Sequence, residues 1–251
     1  LDISQLILLH SHEGITSFKV IANDDEKLNS RMQGMLRTIP DAFLTPRILI
    51  CEGITEVGFI RSLDEKLQVD DDYYMASRGV SYVDGKGGAK ALDVAERFFE
   101  LGFNVALIVD NDRPEDRRKR ESLLSKGIHI FSWNENKCIE TALLPLLSKE
   151  ALNNLLLWDS EKKEATWDEL IEQGYATKKY LLREELNDKE LLNIAMICNK
   201  KEFFKRVAGG EALGRAIFDN CKNISSDMEE IKTINEIVKW INYGKDTRIF
   251  K

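Results

Sequence analysis

Acidic residues stand in this chain where apolar runs stop. In RILICEGITE, Arg47 to Glu56, the run Ile48-Leu49-Ile50-Cys51 ends on Glu52, a glycine and then a second acid, Glu56. In VALIVDNDRPED, Val105 to Val109 runs into Asp110, Asn111 and Asp112. A further acid, Glu140, follows shortly after a third apolar stretch, Ile128 to Phe131. Ligands bind beyond the carboxyl ends of the strands in an open parallel sheet. Neighbouring strands are ~4.8 Å apart, so acids at adjacent strand ends converge on one point. Gathered carboxylates raise one another's pKa unless a cation neutralises them, and hard oxygen donors of this kind suit Mg²⁺ or Mn²⁺. A plainer reading stands beside this one. Acids after strands also cap helices, as Asp112 ahead of Pro114 can, and Glu56 suits the first turn of a helix. Capping is a poor account of all these positions together. If they form a metal cage, losing one acid relieves repulsion, and metal-free stability is expected to hold or rise slightly.

The elements that must carry these acids follow from hydrophobic periodicity. Gln5 to His10 and Thr16 to Ile21 read as a hairpin around His12-Glu13-Gly14, followed by a polar helix from Asp25 to Leu36. Strands are expected at Ile48 to Cys51, Ser81 to Val83, Val105 to Val109 and Ile128 to Phe131. Between them Glu56 to Leu67, Lys90 to Leu101 and Pro114 to Lys126 have helical spacing, with Pro opening the last and Gly127 closing it. Strands alternating with helices imply βαβ units and a mainly parallel sheet. From about Leu143 the pattern turns helical: Ala151 to Trp158, Trp167 to Gln173, Lys189 to Cys198, Glu202 to Phe218 and Met228 to Trp240. The expected fold class is α/β, a parallel sheet flanked by helices, with a helical C-terminal extension. The expected segments are 1–46, 47–147 and 148–251.

At 251 residues and 43% hydrophobic, the chain can bury a substantial core. Its four cysteines form no C-x-x-C pair and only three histidines are present, so no zinc spacing arises. Buried, reduced thiols of a cytosolic protein are expected. No apolar run reaches transmembrane length. The chain opens on Leu1 in mid-pattern, without a signal-peptide layout, and is expected to be a piece of a longer protein. The net charge of −7 argues mildly against a polyanionic partner, yet cations crowd two segments, Arg113 to Arg120 and Lys200 to Arg206. Such runs are usually solvated helix faces; they matter if they flank a site. His10, His12 and His129 are expected in surface or core roles, and the tryptophans in the core.

CEGITE resembles the E-G-x-x-E start of a Toprim domain, and IVDND its D-x-D strand end. DGKGGAKAL, FSWNENKCIETALL and FFKRVAGGEALG look like the nuclease half of the OLD (overcoming lysogenisation defect) family, to which the Gabija defence nuclease is related. The Toprim resemblance covers about Arg47 to Leu147, and the remaining segments extend it to about Asp219. It implies a Toprim-like core and two-metal hydrolysis of DNA in the cytoplasm, as part of phage defence. It makes Glu52, Glu56, Asp110, Asp112 and Glu140 the ligands of two Mg²⁺ or Mn²⁺ ions, with Glu52, Asp110 and Asp112 expected to hold one and Glu56 and Glu140 to share or hold the second. Glu52 and Lys205 are the implied catalytic residues, with Lys205 near the end of a helix. Thr141 departs from the pattern, standing where many relatives carry a second acid. Arg117, Arg118, Lys119, Lys178, Lys179, Lys201 and Arg206 are then candidates for DNA phosphate contacts. The implied partners are DNA, a second copy of the chain, an ATPase domain whose tail residues 1–46 represent, and a helicase or other defence protein, with no membrane. Gly79 to Lys86 misses the phosphate-loop spacing and Gly87 replaces its Ser/Thr, so no ATP site is expected in this fragment. Two rival readings remain. A haloacid-dehalogenase-like phosphatase also uses D-x-D, although Pro114 stands where it needs Thr and E-G-x-x-E has no role there. A Toprim domain that binds metal without catalysis is the other.

Overall fold

The structure is a computed structural model that describes residues 2–243. Leu1 and residues 244–251, at the outer ends of the first and last expected segments, lie outside the described residues, as do the side chains of His10 and His12. Along the chain come β1 (Ile7–His12), β2 (Ile15–Val20), α1 (Glu26–Thr38), β3 (Arg47–Cys51) and α2 (Ile54–Asp71). Then follow β4 (Val80–Asp84), α3 (Gly88–Glu100), β5 (Asn104–Val109), α4 (Arg117–Lys126), β6 (His129–Ser132) and α5 (Ile139–Leu143). The last part holds α6 (Lys149–Leu156), α7 (Lys163–Glu172), β7 (Ala176–Lys178), β8 (Leu181–Leu182), α8 (Asp188–Lys200), α9 (Val207–Asp219) and α10 (Glu229–Ile241). The short β7–β8 hairpin and α5 are absent from the periodicity reading, because neither is long enough to establish a period.

The fold divides into two compact units that interleave along the chain. The first runs to Gly53 and adds Met75–Val109 and Glu115–Ile130; the second takes Ile54–Tyr74, Asp110–Pro114 and everything from Phe131.

The first unit is organised on a four-stranded parallel sheet of order β4-β3-β5-β6. β3 pairs in parallel with β4 and β5, placing Cys51 opposite both Asp84 and Ile108. All five residues of β3 are buried, as expected of a parallel strand covered on both faces. Ile48, Ile50, Val105, Leu107 and Val109 pack in one cluster with Met32 and Leu36 of α1 and Leu92, Ala95 and Phe98 of α3. Each Val, Leu, Ile, Met or Phe side chain among them contributes about 1.5–3 kcal/mol on burial. α1 starts where the Asp25 carboxylate accepts the Leu28 amide at 3.0 Å. The β1–β2 hairpin has the expected antiparallel pairing.

The second unit is helical. Phe59 of α2 packs edge-on to Trp133 and tilted against Phe218 of α9. α2 and α9 approach so closely that side chains are excluded between them. A Cβ on Gly58 would lie 2.0 Å from the Val207 carbonyl oxygen, and one on Gly210 2.0 Å from that of Thr55. The expected helix from Glu202 to Phe218 therefore needs correction. α8 ends at Lys200, Glu202 takes a φ of 53°, and α9 begins only at Val207. Gly209 and Gly210 do not interrupt a helix; their amides both donate to the Arg206 carbonyl and lie in the first turn of α9.

Candidate metal centre

In the first unit Glu52 stands directly after β3. Its amide extends the ladder by donating to the Ile108 carbonyl at 2.9 Å. The loop from Asp84 to Gly88 folds back over it: Gly85 donates to the Cys51 carbonyl and Gly87 to that of Glu52, at 2.8 and 2.7 Å. A side chain at residue 85 would come within 2.5 Å of the Ala91 Cβ, so glycine is required for this close approach. Glu52 Oε1 accepts the amide of Gly88, first residue of α3, at 3.1 Å. Asp84, a strand-end acid absent from the sequence reading, accepts the Lys86 amide and pairs with the Lys86 ammonium at 2.8 Å.

Glu56, Asp110, Asp112, Glu140 and Lys205 all belong to the second unit. The turn after β5 is clamped by the segment 133–139. Asn111 donates its amide to the Lys137 carbonyl and its side chain to the Trp133 carbonyl, and accepts from the Asn136 amide. Lys137 and Asn134 in turn both donate to Glu230, a buried acid in the first turn of α10. Asp110 Oδ1 accepts the amide of Ile139, first residue of α5, at 2.9 Å. Glu140, next in that helix, is only 4% exposed. Burial pushes its carboxyl above the ordinary carboxylate range, helped by the negative charge of Asp112 and opposed by hydrogen bonds and by the positive charge of Lys205.

Glu52 and Asp110 thus fulfil part of the plainer reading, since each accepts an otherwise free amide at the start of a helix. The two roles coexist, because one carboxylate oxygen can cap while the other faces a cation. Glu56 lies in the first turn of α2 and is buried. Thr141 belongs to the start of α5: its hydroxyl accepts the Cys138 amide and donates to the Cys138 carbonyl. Burial and the nearby Glu140 and Asp110 charges push the Cys138 thiol up to about 12, so without a metal it stays protonated at neutral pH.

Lys205 is exposed and sits in the turn before α9, not on a helix as expected. The neighbouring cations have other carboxylates: Lys200 and Lys201 pair with Glu169, and Arg206 with Glu161. Among the described residues no carboxylate forms an ion pair with Lys205, and its charge acts on Glu140. The candidates for phosphate contact divide in the same way. Arg117 pairs with Glu121, Lys119 with Glu96 and Lys179 with Glu164 and Asp168. Arg118 and Lys178 are exposed and outside any ion pair among the described residues. All four cysteines are buried and outside any disulfide, Trp133 and Trp167 are core residues, and His129 is exposed.

Among the described residues no three His, Cys, Asp or Glu side chains are arranged as a ready metal-binding group. The donor set nevertheless fits a hard divalent cation. It is all carboxylate, and the buried Glu140 is a group whose ionised form such a cation stabilises. Residues 43–112 match the family model described as overcoming lysogenization defect protein-like, Toprim domain. No curated protein and no solved structure matches the chain.

Proposed function

We propose, for a chain that carries a Toprim domain of the OLD-like type over residues 43–112, that it is a divalent-metal-dependent endonuclease hydrolysing phosphodiester bonds in DNA. The observation carrying this reading is the surroundings of Glu140, a buried carboxylate acted on by Lys205 as cation and Asp112 as opposing acid. Such a combination suits a site that handles both metal and phosphate charge. Glu56, Asp110, Asp112 and Glu140 are assigned as ligands for Mg²⁺ or Mn²⁺, and Glu52 joins them on the E-G-x-x-E spacing it shares with Glu56. Divalent ions held by these acids, two in the full reading, supply neutralisation of phosphoryl oxygens and a lowered pKa for the attacking water. Lys205 donates hydrogen bonds to the non-bridging oxygens as negative charge builds on them. Arg118 and Lys178 contact backbone phosphates, while Arg117, Lys119, Lys179, Lys201 and Arg206 do so by exchanging a carboxylate partner for a phosphate.

The family link extends the reading to a cytoplasmic phage-defence role, an ATPase domain in the full-length chain, a homodimer and a helicase or similar partner. The activity is tested by incubating supercoiled plasmid with Mg²⁺, Mn²⁺, Ca²⁺ or EDTA, with a small aryl phosphate in parallel. Nicking with Mg²⁺ or Mn²⁺ that EDTA abolishes, without aryl phosphate hydrolysis, is the expected result. Hydrolysis of the aryl phosphate alone would mean a phosphatase. Metal binding with neither activity would mean a regulatory domain.

A further inference from the structure

We propose that Thr55 and Ser160 are positioning residues for Lys205, pinning the two carbonyls that precede it; the proposal rests on the nuclease reading above. The turn from Lys201 to Arg206 leaves backbone oxygens without helical partners. The Phe203 carbonyl accepts the Ser160 hydroxyl at 3.0 Å, and the Phe204 carbonyl accepts the Thr55 hydroxyl at 3.2 Å. Both hydroxyl residues are buried, Thr55 at 2% and Ser160 at 8% exposure. The rings of Phe203 and Phe204 are buried as well, packed on each other and on Trp158. Lys205 is therefore an exposed side chain on an immobilised backbone.

A lysine carries its charge on a flexible four-carbon stem. Its reach is defined only if its Cα is fixed, which a turn does not ordinarily provide. Here fixation comes from two sequence-distant residues acting on consecutive carbonyls. Thr55 has a second consequence, because it immediately precedes Glu56 at the start of α2. One buried hydroxyl thus ties the backbone beside a proposed metal ligand to the backbone beside Lys205. The approach of α2 to α9 at Gly58 and Gly210 lies beside that tie and brings the two backbones too close for a Cβ to fit between them.

The test compares Thr55→Val, Ser160→Ala and their combination with Thr55→Ser, each with Lys205 intact and with Lys205→Ala. Single-turnover nicking of supercoiled plasmid at saturating Mn²⁺ is the readout. Misplacement by about 1 Å can cost up to ~10²-fold, so the double variant is expected to nick about 10-fold or more slowly. KM for DNA and Mn²⁺ affinity by calorimetry should hold, and Thr55→Ser should retain the wild-type rate. In the Lys205→Ala background the clasp variants should slow the reaction no further, because they act through the missing ammonium. Equal losses in both backgrounds, an unchanged rate, or a loss confined to KM or Mn²⁺ affinity would each overturn the proposal. Hydrogen exchange supplies a readout independent of cleavage. Segment 203–206 should exchange faster in the double variant while α8 and α9 keep their protection, and unchanged exchange overturns the positioning role. Failure of the wild-type chain to nick with any metal overturns the nuclease reading instead, and the exchange result then decides whether Thr55 and Ser160 fix this turn.

Discussion

Glu140 concentrates the residue-scale physics. Because burial raises its pKa in the fold, the folded state binds its proton more tightly than the unfolded state does. Glu140's own contribution to metal-free stability is then fullest below the ordinary carboxylate pKa of about 4.3 and is lost as pH rises through the raised value. Thermal melts of the EDTA-treated protein from pH 4 upward should show that loss, and Glu140→Gln should flatten it. Mn²⁺ should restore stability at neutral pH in the wild type more than in the variant. Asp110 and Glu52 carry a different pair of consequences. Alanine at either is expected to abolish nicking even at saturating Mn²⁺. Relief of charge repulsion alone would leave metal-free stability unchanged or raised, but each acid also holds a helix-start amide. We therefore expect each variant to lose about 0.5–2 kcal/mol in denaturant titrations without metal. For Lys205→Ala the expectation is a turnover lower by roughly 10²–10³-fold with DNA and Mn²⁺ binding retained. Lys205→Arg should recover only part of it, since a planar guanidinium places its charge differently.

At the scale of elements, glycines separate packing from propensity. Gly58 sits where α2 meets the backbone of α9, and its Cβ would collide with the Val207 oxygen at 2.0 Å. Overpacking typically costs about 1–3 kcal/mol, and Gly58→Ala should reach or exceed the upper end because backbone cannot yield as a side chain does. Gly34, inside α1, has open space where a Cβ would go. Gly34→Ala should raise stability by about 0.5–1 kcal/mol through helix propensity alone. Denaturant midpoints of the two variants, of opposite sign against wild type, check both. The segment 133–139 is the other element with a defined task, holding Asn111 from three sides and carrying the amide that Asp110 accepts. Its anchor lies far along the chain, in the Lys137–Glu230 pair.

For the whole molecule, a net charge of −7 must be reconciled with a polyanionic substrate. Metal ions masking the acidic set would account for part of it, and the pairing of the cations sets the rest. Exposed ion pairs are worth little, so they can be exchanged for phosphates, but the exchange returns a carboxylate to water. Arg118→Ala should therefore lower the slope of log K against log salt by about 0.9 on duplex DNA. Lys119→Ala, whose ammonium pairs with Glu96, should change the slope less. Fluorescence anisotropy in Ca²⁺ across a salt series measures both. Equal slopes for wild type and Arg118→Ala would return the basic run to a solvated helix face. Light scattering at working concentration checks the proposed homodimer; a monomer mass would reject it.

The sequence by itself determined the alternation of strands and helices from β3 to β6, the acids at strand ends and the Toprim resemblance. All are local: periodicity and the sharp change from apolar to acidic are written in consecutive residues. It also located FFKRVAGGEALG, though with Lys205 on a helix and the break at Gly209-Gly210, because a run of good helix formers does not announce the positive φ of Glu202. Only the tertiary structure decided that Glu52 and Asp110 cap helices, that Glu140 is buried, and that Lys119, Lys179 and Lys201 are engaged by carboxylates. It alone revealed that Thr55 and Ser160 reach the carbonyls before Lys205. These are contacts between residues far apart in the chain. Their partners are chosen by packing, which local residue patterns do not encode.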